Sequence, residues 1–192
     1  MSDDAVLHSP RLMLRPVTPD DAGAMCRYRS LPEVARYQSW DSFGPADAAA
    51  MVAPQTGLRP GVLGTWFQFA IVVPAVGGMV GDCGLHCPGA EPDQAEVGIT
   101  LDSAHQRRGY AAEALTLVLG LTFGALGKRR VTAVTDAKND AAAALFRRLG
   151  FRREGHFVER LWFKGDWGSE YAFALLRREW EERRPTRPAE PR

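Results

Sequence analysis

The stretch Gln106–Ala111, with the sequence QRRGYA, lies between an alternating apolar run and a long helical pattern. Residues 95–101 alternate apolar and polar side chains, which predicts a half-buried strand. After the stretch, apolar residues recur every three or four positions. This spacing predicts a helix from about Gly109 to Leu126, ended by Gly127. The stretch is therefore predicted to be the loop of a strand–loop–helix unit.

The start of this helix has the physical properties of an anion site. The first backbone N–H groups of a helix have no partner within it, and they lie at the positive end of its dipole. Gly109 and Ala111 lack bulk that would keep a phosphate away, while His105, Arg107 and Arg108 add positive charge. Each cation at this end opposes the dipole by about 0.3–1 kcal/mol. That cost is offset if an anion binds between them, so we predict a phosphate site.

Length and composition predict one globular domain. The 192 residues are 45% hydrophobic and 24% charged, and we expect a single domain over 1–184 with a disordered, proline- and arginine-containing tail at 185–192. The net charge of +1 disfavours nucleic acid as a partner. The N-terminus lacks a secretion signal and no apolar run is long enough to span a bilayer, so we expect a cytoplasmic protein without a membrane partner.

Periodicity and turn residues predict the remaining elements. Strands alternate with helices only in the middle of the chain, which predicts an α/β fold of the α+β type. We expect a mixed, mostly antiparallel central sheet of about six or seven strands flanked by helices. The predicted strands cover 11–15, 66–73, 79–86, 95–101, 131–134, 157–163 and 171–176, and the predicted helices 18–30, 32–37, 45–52, 109–126 and 139–149.

Several blocks of the chain resemble one protein family. QRRGYA at 106–111 resembles the Q/R-x-x-G-x-G/A motif of the GCN5-related N-acetyltransferase (GNAT) superfamily. The resemblance extends to SPRLMLR at 9–15, EVGI at 96–99, YAAEAL at 110–115, Asn139 and LGFRREG at 149–155. Taken in order, the blocks cover roughly residues 9–180 and are similar to the branch of ribosomal-protein alanine N-acetyltransferases.

The resemblance implies an acetyl-CoA-dependent N-acetyltransferase with a GNAT-like fold. It implies direct attack by a primary amine on acetyl-CoA in a ternary complex, the amine belonging to a protein N-terminus, a lysine or a small molecule. We also expect no metal, and family analogy suggests a homodimer. Gly98 would permit a bulge or splay that opens the strand edge. The cofactor-binding residues implied by position are Ile99, Thr100 and Leu101 for the pantetheine, Gln106, Arg107, Arg108, Gly109, Tyr110 and Ala111 for the pyrophosphate, and Asn139 and Phe146 on the next helix.

Catalysis needs a proton acceptor, because an amine of pKa near 10 is protonated at neutral pH. Glu96 is the candidate base, because it shares a strand face with Gly98 and Thr100 and the resemblance places that strand beside the thioester. Many GNAT enzymes have a tyrosine at the position of Phe146 to protonate the departing thiolate. Phenylalanine cannot do this, so the thiolate leaves unassisted or another donor such as Tyr110 or Tyr171 serves.

Other interpretations stay open. The chain could be a non-catalytic acyl-CoA-binding module, or use another donor such as succinyl-CoA. Asn139 could be only a helix N-cap. Zinc binding by Cys83, His86, Cys87 and His105 is disfavoured, because strand alternation separates the cysteines from His86. By resemblance, the acceptor site lies between the N-terminal helices and the 159–167 loop. Its candidate residues are Trp40, Phe43, Trp66, Trp162 and Trp167, with Asp41, Glu159 and Asp166 to attract a cation.

Overall fold

The computed structural model describes residues 5–183 and has one eight-stranded sheet at its centre. The predicted tail at 185–192 lies outside the described residues. The strands are β1 (Leu7–His8), β2 (Met13–Pro16), β3 (Thr65–Val73), β4 (Gly78–Cys87), β5 (Gln94–Leu101), β6 (Arg130–Asp136), β7 (Arg152–Phe163) and β8 (Asp166–Leu176). Their spatial order is β1-β2-β3-β4-β5-β6-β8-β7, and every pair is antiparallel except β5 with β6.

The mixed, mostly antiparallel sheet agrees with the predicted fold class, with one more strand than the upper prediction. The extra strand is β1, whose two residues pair with Leu14 and Met13. A strand this short shows no alternation to detect. The helices are α1 (Ala22–Arg29), α2 (Pro32–Ala35), α3 (Pro45–Val52), α4 (Tyr110–Phe123), α5 (Asp140–Leu149) and α6 (Arg177–Arg183), of which α6 was not predicted. No helix in residues 5–183 is long and apolar enough to cross a membrane.

Helix α4 ends three residues before the predicted Leu126. The Gly124 amide still donates to the Gly120 carbonyl at 3.0 Å, but Gly124 has ψ of −95°, which turns the chain out of the helix. Gly127 does take the left-handed conformation predicted for it, with φ of +64°. It follows the turn at Gly124 rather than the last helical residue. The apolar spacing continued past the point where backbone geometry ends the helix.

The sheet opens between β5 and β6. These strands pair only from Gln94 to Glu96, and β6 then follows β8 as far as Asp136. The edge of β5 from Val97 to Leu101 therefore has no strand partner on this side. On the other side, β4 and β5 keep a regular register through Gly98. The opening is thus a divergence of two strands, and the bulge suggested at Gly98 is absent from this ladder.

Helices cover both faces of the sheet. On one face, α4 and α5 pack on apolar side chains of the central strands, including Phe67, Leu85 and Val97. On the other face, α1 and α3 enclose a smaller cluster around Tyr28 and Ala70. The apolar residues of β5 thus face α4, as the alternation predicted, while the opposite face of β5 is left for other contacts.

Candidate active site

The loop before α4 has a backbone shaped by two left-handed residues. Arg107 has φ of +59° and Gly109 has φ of +85°, a conformation that glycine adopts without steric cost. The first amide of this region to bond the helix is that of Glu113, which donates to the Gly109 carbonyl at 3.1 Å. For the amides from Arg107 to Ala112, no protein acceptor is found among residues 5–183. Six consecutive N–H groups are therefore free to bind an anion.

The N-terminal segment braces this loop, which sequence reasoning did not predict. Arg11 Nη1 donates to the Arg108 carbonyl at 3.0 Å, and Arg11 Nε donates to Glu113 Oε2 at 2.7 Å. Ser9 Oγ donates to Glu113 Oε1 at 2.6 Å. Burial alone would raise the pKa of Glu113, but the hydrogen bonds from Ser9 and Arg11 outweigh it and lower the pKa. The only signal in the sequence was the block at 9–15, which carried no role until the structure placed it here.

A cavity of about 440 Å³, the loop cavity, lies between this loop, the open edge of β5 and α5. Most predicted cofactor-binding residues line it. They are Ile99, Thr100, Leu101, Gln106, Arg107, Gly109, Tyr110, Ala111 and Asn139. The remaining wall comes from α2 and the residues after it, with Glu33, Tyr37 and Gln38, and from α5, with Leu145 and Arg148. Sequence reasoning missed this wall.

Two predicted cofactor-binding residues do not line the loop cavity. Arg108 contributes its carbonyl to the brace described above. Phe146 is buried, and its ring packs against Phe151 and Phe173 at centroid distances of 5.4 and 5.5 Å. The side chain of Asn139 caps α5 by accepting from the Ala142 amide at 3.0 Å and also lines the cavity, so the cap is observed and the ligand contact stays a prediction.

Three rows of residues cross β3, β4 and β5 on the sheet face that carries α1 and α3. Residues paired across neighbouring strands share a face, so each row can be taken from the register. The rows are Trp66–His86–Glu96, Gln68–Gly84–Gly98 and Ala70–Asp82–Thr100. Neither glycine contributes a side chain to the middle row; the Trp66 ring and the Gln68 amide lie over Gly84, whereas the space over Gly98 is open. A second cavity of about 580 Å³, the sheet-face cavity, lies over this row.

The two cavities meet at β5. Gln38, Ile99 and Thr100 line both of them. A ligand in the loop cavity and a second ligand in the sheet-face cavity would therefore approach each other at the strand edge that β6 leaves open. This arrangement suits a reaction between two bound molecules.

Glu96 lies in the row beside the glycines. Burial raises the pKa of Glu96, with the charge of Glu170 adding to the rise and that of His86 opposing it. The His86 ring stacks on Trp66 with a centroid distance of 4.9 Å. Glu96 does not line either cavity directly, and it stands two residues from Gly98, about 6.8 Å along the strand.

A buried ion pair forms the other side of the sheet-face cavity. Asp82 accepts hydrogen bonds from Arg29 Nη2 at 2.6 Å, from Arg29 Nε at 3.1 Å and from the Tyr28 hydroxyl. Burial would lower the pKa of Arg29, but Asp82 outweighs it and raises the pKa. Burial, with the Asp82 charge beside it, raises the pKa of Tyr28. Arg29 therefore stays charged and Tyr28 stays neutral, so the pair as a whole carries no net charge.

The remaining candidates separate into those that line a cavity or pack beside one and those that do not. Trp40 and Trp66 line the sheet-face cavity, and Phe43 is buried against Trp40. Trp162 and Trp167 are exposed and pack against each other. The three candidate acids do not line either cavity: Asp41, Glu159 and Asp166.

The remaining side-chain candidates were a second proton donor and a metal site. Tyr110 lines the loop cavity, whereas Tyr171 packs against His156 and Phe173.

Burial raises the pKa of the Cys83 thiol. Across the part of the chain that the structure describes, no cluster of three His, Cys, Asp or Glu side chains is placed to hold a metal ion.

Comparisons with known proteins identify the family. Residues 11–152 match the family model described as Acetyltransferase (GNAT) domain. The chain is 30% identical over 175 residues to a Bacillus licheniformis protein named "Uncharacterized N-acetyltransferase p20", and the match covers 91% of this chain and 97% of that one.

Solved structures share the fold. A GNAT-family acetyltransferase from Bacillus anthracis matches with a TM-score of 0.80 at 24% identity, over 90% of this chain and 99% of that one. Ribosomal-protein-S5-alanine acetyltransferase from Vibrio fischeri matches with a TM-score of 0.79 at 21% identity, over 95% of this chain and all of that one (100%). Because the family model covers most of the sequence and the relative spans nearly all of it, the chain belongs to the GNAT acetyltransferase family and is an acyltransferase.

Proposed function

We propose that this chain transfers an acetyl group from acetyl-CoA to a primary amine by direct attack in a ternary complex. The observation that carries the proposal is the meeting of two cavities at Ile99 and Thr100, beside a strand edge without a partner. The proposal places the enzyme in the cytoplasm and, by family analogy, as a homodimer, which light scattering tests.

The loop cavity is the proposed donor site. The free amides from Arg107 to Ala112 suit the diphosphate of CoA, because unpaired N–H groups at a helix start bind anions. Arg107 and Arg148 line the same cavity and supply positive charge. The pantetheine amides would pair with the open backbone of Ile99–Leu101 in the manner of an added strand. The whole donor would then lie between β5 and α5, with its thioester near Gly98.

The sheet-face cavity is the proposed acceptor site, and Glu96 is the proposed base. The ammonium loses one proton to Glu96, directly or through a water molecule. The free amine nitrogen then bonds to the thioester carbonyl carbon, the carbon–sulfur bond breaks to release the CoA thiolate, and the extra proton left on the nitrogen passes to water to give the neutral amide. The raised pKa of Glu96 brings its basicity closer to that of the amine, which favours the transfer.

The CoA thiolate is a good enough leaving group to depart with limited help, because an ordinary thiol has a pKa of about 8.5. Phe146 is buried and has no proton to give. Tyr110 lines the loop cavity and Tyr171 lines neither cavity, so we assign any protonation of sulfur to Tyr110 rather than to Tyr171.

Release of free CoA from acetyl-CoA, measured with a panel of amines, tests the proposal. Glu96→Gln is expected to lower kcat by about 10²–10⁴-fold, the range for a general base, with the KM for acetyl-CoA unchanged. Glu91→Gln, at an exposed position outside both cavities, is the matched control. The rate of the unmodified enzyme should rise with pH through a pKa above the ordinary glutamate value, and the Glu96→Gln enzyme should lack this limb.

Three results would count against parts of the proposal. Tight acetyl-CoA binding without turnover of any amine would favour a non-catalytic acyl-CoA-binding module. Faster turnover with succinyl-CoA would replace the donor but keep the chemistry. An unchanged kcat and pH profile in the Glu96→Gln enzyme would remove Glu96 as the base.

A further inference from the structure

Gln68 lines the sheet-face cavity, and its side chain has a buried polar atom without a partner. Gln68 lines the cavity and is only 6% exposed, and its Oε1 atom has no hydrogen-bond donor among the described residues. Neighbouring Gln55 differs, because its amide bonds the β3 backbone on both sides, at Trp66 and Gln68. Buried carbonyl oxygens are almost always paired. The oxygen of Gln68 has no hydrogen bond within the described chain, and in this conformation it is buried rather than open to the cavity.

The position of this oxygen points to the reacting end of the acceptor. A Cβ atom built on Gly84 would lie 3.1 Å from Gln68 Nε2, so the Gln68 amide extends over Gly84 toward Gly98. Over Gly98 itself, a Cβ atom would meet nothing within 4 Å. The terminal torsion of a glutamine side chain is soft, so its oxygen can turn into this open space. An N–H group over Gly98 would then have an acceptor beside the point where the two cavities meet.

The charges around the cavity disfavour acceptors that carry more than one ammonium group. The charged residues that line it are Arg29 and Asp82, which neutralise each other and are 4% and 2% exposed. Glu96, in the next row, is one carboxylate and can serve one ammonium group. A polyamine or aminoglycoside would bring further ammonium groups into a space that offers them no free carboxylate. Burying an unpaired charge is costly, so such acceptors are disfavoured.

The walls of the cavity suit an apolar body. Its apolar lining includes Trp40, Trp66, Met51, Pro54 and Leu58. The Trp40 ring lies over the Arg29 guanidinium at 4.6 Å and its Nε1 donates to the Arg29 carbonyl at 3.1 Å, which fixes its orientation. A fixed aromatic wall gains most from a flat or apolar partner.

We infer that the acceptor is a primary monoamine on an uncharged apolar or aromatic body, and that Gln68 Oε1 accepts a hydrogen bond from its nitrogen. The inference rests on the proposed function and names the substrate class of the same site. Gln68 is a specificity-determining residue in this account, distinct from the base.

The test compares phenethylamine and a Phe-Ala-Ala peptide amide with spermidine, by kcat/KM with acetyl-CoA. The expected result is that at least one apolar amine exceeds spermidine, and the pair distinguishes a free small amine from a peptide N-terminus. Gln68→Met keeps the side-chain length and should raise the KM of the preferred amine about fivefold, the value of one neutral hydrogen bond. The KM for acetyl-CoA should not change.

A charge change gives an independent measurement. Gln68→Glu adds the missing carboxylate and should raise the ratio of spermidine to phenethylamine kcat/KM. Gln94→Met, the same substitution on β5 outside both cavities, should leave all constants unchanged. Preference of the unmodified enzyme for spermidine, with acetyl-CoA binding intact, would overturn the inference and leave the proposed function standing. Absence of acetyl-CoA binding in calorimetry would overturn the proposed function itself.

Discussion

Replacing Gly109 with alanine separates the role of the loop in folding from its role in binding. Gly109 has φ of +85°, where a side chain costs about 1–2 kcal/mol. The new Cβ would lie 3.1 Å from Arg11 Nη2, which is the end of a flexible side chain and can shift. We therefore expect the free energy of unfolding to fall by about 1–2 kcal/mol. For a chain of this size, this loss lowers Tm by about 2–8 °C.

The same substitution should weaken acetyl-CoA binding for a different reason. The shift of Arg11 loosens its hydrogen bond to the Arg108 carbonyl, which helps to hold the loop amides in place. Loss of one hydrogen bond to a charged ligand group costs about 1.5–3 kcal/mol, so we expect an affinity loss of at least about tenfold. Isothermal titration calorimetry with acetyl-CoA measures this.

Gly77→Ala provides the control. Gly77 has φ of +78° in the turn before β4, and an added Cβ would meet nothing within 4 Å. It carries the same backbone strain and does not line the loop cavity, so it should lose similar stability and bind acetyl-CoA as the unmodified protein does. If both variants lose stability and both keep full affinity, the loop does not bind the donor as reasoned here.

Two further predictions concern the acceptor cavity and acid stability. Gly98→Ala adds a methyl group in open space, so the free energy of unfolding should stay within about 0.5 kcal/mol of that of the unmodified protein. The KM for the amine should rise, because the methyl group takes space in the acceptor cavity. An unchanged KM would mean that no acceptor approaches this point. Hydrogen bonds and charge from Arg130 and Arg152 lower the pKa of Glu154 to about 2. Its folded pKa lies below its unfolded value of about 4.3, so its stabilisation is present above pH 4.3 and lost as pH falls toward 2. Glu154→Gln should lower the free energy of unfolding at pH 7 by about 1 kcal/mol, after discounting for solvent screening, and match the unmodified protein at pH 2. Equal unfolding midpoints in urea at pH 7 would contradict this.

The central elements could be predicted from sequence because their patterns are long. Strands β3 to β5 and helix α5 carry enough alternating or periodic residues to mark their extent, and Gly150 ends α5 in the left-handed conformation at φ of +97°. Helix α6 could not be found in this way. Its sequence, RREWEER, has one large apolar residue, Trp180, which packs near Phe123 at 6.1 Å. A single large apolar residue does not produce a periodic pattern.

The loop of the candidate site could be predicted, but much of the rest of the site could not. Gln106–Ala111 is a continuous segment, so its position before a predicted helix was enough to predict an anion-binding loop. The rows that bring Gln68 beside Gly98 depend on the register of three strands, and the α2 wall of the loop cavity depends on tertiary packing. For Phe146, position in a motif suggested a ligand contact, whereas its ring is buried in the structure, so the contact stays a prediction.

A crystal structure with acetyl-CoA tests the central claim most directly. The account predicts that the diphosphate accepts hydrogen bonds from the backbone amides between Arg107 and Ala112, and that the pantetheine lies along Ile99–Leu101 in the opening between β5 and β6. Acetyl-CoA bound elsewhere, with these amides facing solvent, would contradict it.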